Sequence, residues 1–142
     1  MPNTNLFSIL LVEDDEVDVM NVRRAFMKNN ITNPLWVAGN GLEALELLRA
    51  PRTPEAPHLP SLVLLDLRMP KMSGIEFLRE IRADPLLKKL IVVVLTTSDD
   101  EKDVCSAYDL NVAGYIVKPV TFDKFMQAVA TLNLYWTLSE LP

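Results

Sequence analysis

Three acids stand together at Glu13-Asp14-Asp15, and a fourth, Asp66, follows the apolar run Leu62-Val63-Leu64-Leu65. Thr96 and Thr97 follow the run Leu90 to Leu95, and Lys118 follows Tyr115-Ile116-Val117. Carboxylates, hydroxyls and one amine thus sit just beyond short apolar runs, and they form one site if those runs are neighbouring strands. Carboxylates gathered at one edge repel each other and raise their pKa values unless a cation lies among them. An oxygen donor set without His or Cys suits a hard ion; Mg²⁺ takes one or two carboxylates, keeps several waters and accepts phosphate oxygens. The chemistry that fits is the handling of a phosphoryl group. Softer ligands are scarce: Cys105 is the single cysteine and His58 the single histidine, so an internal disulfide is excluded and a thiolate or imidazole cluster is not expected.

The elements that must position these groups are readable from periodicity. Leu6 to Val12 is a short run rich in branched residues, as in a strand buried on both faces. Val19, Val22 and Phe26 then fall at helical spacing, and Asn29-Asn30 closes that helix. Leu35 to Ala38 reads as a second strand, and Gly39-Asn40-Gly41 turns into a helix with Leu42, Leu45 and Leu48 on one face. Pro51, Pro54, Pro57 and Pro60 make residues 50–60 an extended surface loop. Leu62 to Leu65 is a third strand ending at Asp66, followed by a helix over Ser73 to Arg82 with Ile75, Leu78 and Ile81 inward. Leu90 to Leu95, a helix over Glu101 to Leu110, and Tyr115 to Val117 continue the alternation. Thr121 caps a last helix with Phe122, Phe125, Met126, Val129 and Leu132 on its inner face.

Five strand and helix pairs imply right-handed crossovers and a parallel sheet covered on both faces, an α/β fold. In such doubly wound sheets the ligand site lies beyond the carboxyl ends of the strands, where the acids, hydroxyls and Lys118 fall.

Composition bounds the function. The chain has 142 residues, 49% apolar and 23% charged, as expected for one globular domain. A net charge of -5 and a pI near 4.8 argue against a nucleic-acid partner. No apolar run approaches a membrane span and the N-terminus lacks signal-peptide features, so a cytoplasmic location is expected and no membrane partner.

Glu13-Asp14, the strand ending in Asp66, the loop Met69-Pro70-Lys71-Met72-Ser73-Gly74, Thr96, and Tyr115 with Lys118-Pro119 together resemble the CheY-like response regulator receiver family. The resemblance covers nearly the whole chain, and its strength is the order and spacing of motifs that are weak singly. It implies a flavodoxin-like (βα)5 sandwich around a five-stranded parallel sheet, a single receiver domain over residues 1–142 with its core at 6–136 and a tail at 137–142. It implies that Asp66 is the phosphoacceptor and that Glu13, Asp14, Asp66 and the Arg68 backbone carbonyl hold Mg²⁺, Glu13 through water. Thr96 and Lys118 would meet the phosphoryl oxygens, Thr96 and Tyr115 would form the switch pair, and the Lys118-Pro119 bond would be cis. Such a protein is a signalling component that accepts phosphate from a sensor histidine kinase, and not an enzyme acting on other substrates.

Two features depart from many receivers. Arg68 is a long cation two residues past the acceptor, placed to pair with Glu13 or to shield the phosphoryl group, and the proline loop lengthens the approach to the third strand. Thr97 lies where it could affect access, although it also suits a plain strand residue. Asp15 is read as beginning the first helix, Cys105 as packing, and His58 as solvated. After Lys118-Pro119 there is room for one helix and a short tail, so no output domain is expected. Leu95-Thr96-Thr97-Ser98, the middle loop and the ending Tyr135 to Pro142 resemble the single-domain regulators that partner phytochromes, which implies a phytochrome kinase, a homodimer and an unknown downstream protein. A haloacid-dehalogenase-type phosphatase would need an acid at position 68, where Arg68 cannot donate a proton. A phosphate loop of the flavin-binding kind would need glycines or hydroxyls where the three acids stand. A pseudo-receiver acting only as an adaptor is the remaining alternative.

Overall fold

The strands place at least three apolar residues in succession, and the three central ones are covered by helices on both sides. The computed structural model describes residues 8–54, 58–69, 71–96 and 107–131. The strands are β1 (Ile9–Val12), β2 (Leu35–Ala38), β3 (Leu62–Asp66), β4 (Ile91–Thr96) and β5 (Gly114–Val117). The described helices are α1 (Glu16–Lys28), α2 (Gly41–Arg49), α3 (Gly74–Ala83) and α4 (Phe122–Thr131). All strands pair in parallel in the order β2-β1-β3-β4-β5. The expected helix over residues 101–110 lies mostly outside the described residues; Ala107 and Tyr108 are helical and a turn follows.

Alternate strand residues divide the core into two layers, as the period of two requires. Leu10, Val12, Val63, Leu65, Val92 and Val94 pack with Ala44, Leu45 and Leu48 of α2 and Phe77, Leu78 and Ile81 of α3. Ile9, Leu11, Leu62, Leu64, Val93, Leu95 and Ile116 face the other way, against Val22 and Phe26 of α1 and Phe125 of α4. The rings of Phe26 and Phe125 meet at 4.9 Å between centroids and 53°, which joins α1 to α4 on this face of the sheet.

Two helix faces differ from their sequence reading. Leu42 is 46% exposed, and α2 instead buries Gly41, Ala44, Leu45 and Leu48. Spacing of three and of four both fit Leu45 and Leu48, and Asn40 as N-cap starts the helix so that position 41, not 42, points inward. In α3, Phe77 is fully buried beside Leu78 and Ile81, whereas Ile75 is only partly covered. Ser73 precedes the helix as its N-cap, closing a reciprocal capping box with Glu76. Of the last helix's expected inner face, Phe125 is buried and Phe122 and Met126 pack partly; the Val129 side chain and Leu132 are outside the described residues.

In the proline loop, the Arg52 guanidinium donates to the carbonyls of Leu47 and Ala50 and lies 5.8 Å from the Trp36 ring. His58 is exposed, as expected. Met1 to Phe7, Thr97, Cys105 and the ending Tyr135 to Pro142 lie outside the described residues.

Candidate functional site

The strand order reverses between β1 and β3, so the connections leaving these neighbours go to opposite faces and a crevice opens beyond their carboxyl ends. Glu13, Asp14 and Asp66 stand at that crevice. Glu13 continues β1, its N–H donating to Ala38 O at 2.9 Å, and its side chain is buried. Asp66 is the last residue of β3, in register with Leu95 of β4. Asp14 is exposed, and Asp15 caps α1 by accepting from the N–H groups of Val17 and Asp18. One carboxylate oxygen from each of Glu13, Asp14 and Asp66 lies within 4.8 Å of the others.

Lys118 enters from the far side of the sheet. Its N–H donates to Thr96 O at 2.7 Å, which extends the β4–β5 pairing past Val117, and the Lys118-Pro119 bond is cis. Lys124 of α4 holds this turn, its Nζ donating to Val117 O at 2.8 Å and Pro119 O at 3.3 Å. Lys118 Nζ lies 2.6 Å from Glu13 Oε2, 2.9 Å from Asp18 Oδ2 and 3.5 Å from Asp66 Oδ2. The cation against Glu13 is thus Lys118. Arg68 is exposed, and its backbone N–H donates to Asp66 Oδ1 at 3.2 Å.

Glu13 and Lys118 both carry a marked electrostatic signature. The Glu13 pKa is raised to about 7, chiefly by burial and further by the Asp66 charge, against Lys118 and the Asp15 N–H (3.1 Å from Oε1), which lower it. Burial alone would lower the Lys118 pKa, but Glu13, Asp18 and Asp66 hold it above its ordinary value. Glu13 Oε2 is enclosed and, despite its short ion pair, has no aligned hydrogen-bond donor among the described residues. A divalent cation among these oxygens would satisfy that atom and offset the repulsion, so the residues present fit a hard metal ion.

Thr96 closes β4 opposite Val117, and Tyr115 on β5 is in register with Val94, its side chain half exposed. The fold therefore brings Glu13, Asp14, Asp66 and Lys118 together, with Thr96 at the same edge. Sequence reasoning missed Asp18 and Lys124. Asp18 had only a weak signal, as an acid in the first turn of the helix that follows the acidic run. Lys124 had none, because it acts on backbone carbonyls.

Gly74 sits where α3 begins against the acceptor strand. Its N–H donates to Leu67 O at 3.0 Å, and a Cβ there would come 2.5 Å from Asp66 O and 2.6 Å from Leu67 Cα. Only glycine lets the helix start this close to the carboxylate's own backbone.

A five-stranded parallel sheet in this order with acids at the β1–β3 crevice defines a receiver architecture, and the response regulator receiver domain model matches residues 9–130: the chain belongs to that family. Similar proteins within it include phytochrome response regulators and a probable methanogenesis regulatory protein of Methanothrix harundinacea, 38% identical over 130 residues, 92% of this chain and 83% of that protein. Response regulator Rcp1 of Synechocystis sp. is 38% identical over 128 residues, 90% of this chain and 87% of that protein, and the structure of its Mn²⁺-bound form superposes with a TM-score of 0.72 at 36% identity, covering 96% of this chain and 99% of that one. The bacteriophytochrome response regulator AtBRR gives a TM-score of 0.81 at 37% identity, covering 95% of this chain and 96% of that one. The phosphorylated cyanobacterial phytochrome response regulator RcpA gives 0.74 at 36% identity, covering 94% and 99%.

Proposed function

We propose that this protein is a single-domain response regulator that accepts a phosphoryl group on Asp66 from a sensor histidine kinase, and that the kinase is a phytochrome. The observation that carries the reading is the meeting of Asp66 with Glu13 and Asp14 within 4.8 Å and with the Lys118 ammonium at 3.5 Å. The likeness to Rcp1, AtBRR and RcpA supports the phytochrome partner.

In this reading an Asp66 carboxylate oxygen attacks the phosphorus of a phosphohistidine; the P–O bond forms as the P–N bond breaks, and the imidazole leaves. The Arg68 N–H on Oδ1 fixes the carboxylate's orientation. Lys118 donates to a phosphoryl oxygen, joined by the Thr96 hydroxyl, so that charge spread over the equatorial oxygens is neutralised in place. Glu13, Asp14, Asp66 and the Arg68 carbonyl would hold Mg²⁺, which supplies charge neutralisation when bound. Thr96 and Tyr115 form the switch, the half-exposed Tyr115 ring turning inward as the hydroxyl moves to the phosphoryl group. Arg68, whose N–H meets the acceptor, and Thr97, which follows Thr96 in the sequence, set access of water to it. The protein changes only itself, so it is a signalling component and not an enzyme, and its place is the cytoplasm, where kinase and ATP are.

Intact mass after incubation with phosphoramidate and Mg²⁺ tests this: one phosphoryl group on wild type, none on Asp66→Asn, and none without the metal. A wild type that gains no mass would favour the adaptor. The assembly we propose is a homodimer joined through the C-terminal segment; deleting residues 135–142 should halve the light-scattering mass, and an unchanged mass would dismiss that contact.

A further inference from the structure

Three carboxylates compete for Lys118, and only two of them belong to the acidic cluster. Glu13 and Asp66 share that cluster with Asp14, whereas Asp18 stands outside it on α1. Glu13 Oε2 is nearest the ammonium at 2.6 Å, an aligned hydrogen bond runs to Asp18 Oδ2 at 2.9 Å, and Asp66 is the most distant of the three at 3.5 Å. The Asp18 carboxylate rides on a fixed support: its N–H donates to Asp15 Oδ1 in the capped first turn of α1. The Lys118 side chain is 8% exposed and that of Asp18 24%, so water screens the pair from one end only.

We propose that Asp18 is a positioning residue of this site, which holds Lys118 back from the acceptor in the unphosphorylated protein and must release it as the phosphoryl group arrives. When a cation occupies the cluster, Glu13 and Asp66 are committed to it, and Asp18 is the carboxylate left to the ammonium. A phosphoryl oxygen then competes with Asp18 for the same donor, so the ion pair stabilises the resting state relative to the phosphorylated one. This rests on Asp66 being the acceptor.

Beryllium fluoride, a phosphoryl mimic, is titrated calorimetrically in the presence of Mg²⁺ into wild type, Asp18→Asn, Asp18→Ala, Glu16→Gln, Lys118→Ala and the Asp18→Asn/Lys118→Ala double variant. Removing the Asp18 charge should tighten binding roughly fivefold, the scale of one partly screened charged hydrogen bond. Glu16→Gln removes an exposed acid in the same turn and should change binding by less than about twofold. Without Lys118 the Asp18 substitution should have no effect. Unchanged or weaker binding in both Asp18 variants would overturn the proposal, as would equal tightening in the Lys118→Ala background, which would mark a plain charge effect. A wild type that binds no beryllium fluoride and gains no phosphoryl mass would overturn the acceptor reading with it, whereas normal wild-type binding with inert Asp18 variants sinks the Asp18 role alone.

Discussion

At the scale of single residues, the site is held under electrostatic tension that Glu13 reports. Its pKa in the folded chain is raised to about 7 from 4.5, chiefly because its carboxylate is buried. An acid with a raised folded pKa binds more protons folded than unfolded between those two values, so this group's contribution to stability falls as pH rises from about 4.5 through 7. Lys118 does not alter that window, because it stays protonated throughout it. Glu13→Gln keeps the shape and removes the titration. In chelator, its melting temperature should exceed that of wild type at pH 8 and approach it near pH 5, reflecting a stability difference on the order of a few kcal/mol at the upper end. Melts whose difference does not depend on pH would show that Glu13 does not titrate as described. Magnesium should reverse the wild-type trend, since it binds the ionised carboxylates.

At the scale of elements, each functional side chain is placed by the start of a helix or the end of a strand. Asp15, Asn40, Ser73 and Thr121 cap the four described helices, so each of these helices starts at a fixed point beyond a strand's carboxyl end. The tightest of these junctions is at Gly74. Gly74→Ala forces a methyl group into the backbone of Asp66 and Leu67, which cannot rotate away as a side chain could. The variant should lose about 1–3 kcal/mol in urea unfolding, and its phosphorylation by phosphoramidate should slow even where it is fully folded, because the strain falls on the acceptor. A stable variant with normal uptake would show that α3 can retreat without cost. Such junctions explain what was legible in advance. Asp66, Glu13, Asp14 and Lys118 were readable because each ends an apolar run of strand length, and the sheet rule puts those ends together. Phe77 was missed, and Leu42 and Ile75 were read as inward, because a helix of ten residues or fewer offers too few turns for spacing alone to fix which face is buried. The pairing of Lys118 with Asp18 joins residues 100 apart in sequence, and no local pattern encodes it.

At the scale of the whole molecule, the sheet separates a reactive edge from a structural one. Asp66, Glu13 and Lys118 occupy the carboxyl ends of the strands, while Arg82 organises the amino ends of β4 and β5. From the last turn of α3 its guanidinium donates to Lys88 O and Leu90 O, each at 2.8 Å, just before β4, and to Leu110 O at 2.8 Å and Asn111 O at 3.2 Å, ahead of β5. Burial lowers its pKa from the ordinary value, yet a guanidinium stays charged at any working pH. One fork of donors thus ties a helix to two loops, which a lysine with three donors on a single nitrogen cannot span. Arg82→Ala leaves several carbonyls without their partner and should cost roughly 2–4 kcal/mol in urea unfolding, with Arg82→Lys recovering only a small part. Because this staple lies at the end of the sheet opposite Asp66, phosphoryl uptake by the folded Arg82→Ala protein, measured well below its melting temperature, should match wild type. A proportionate loss of uptake would mean that the two edges are coupled through β4 and β5 and that the amino-end loops take part in the switch.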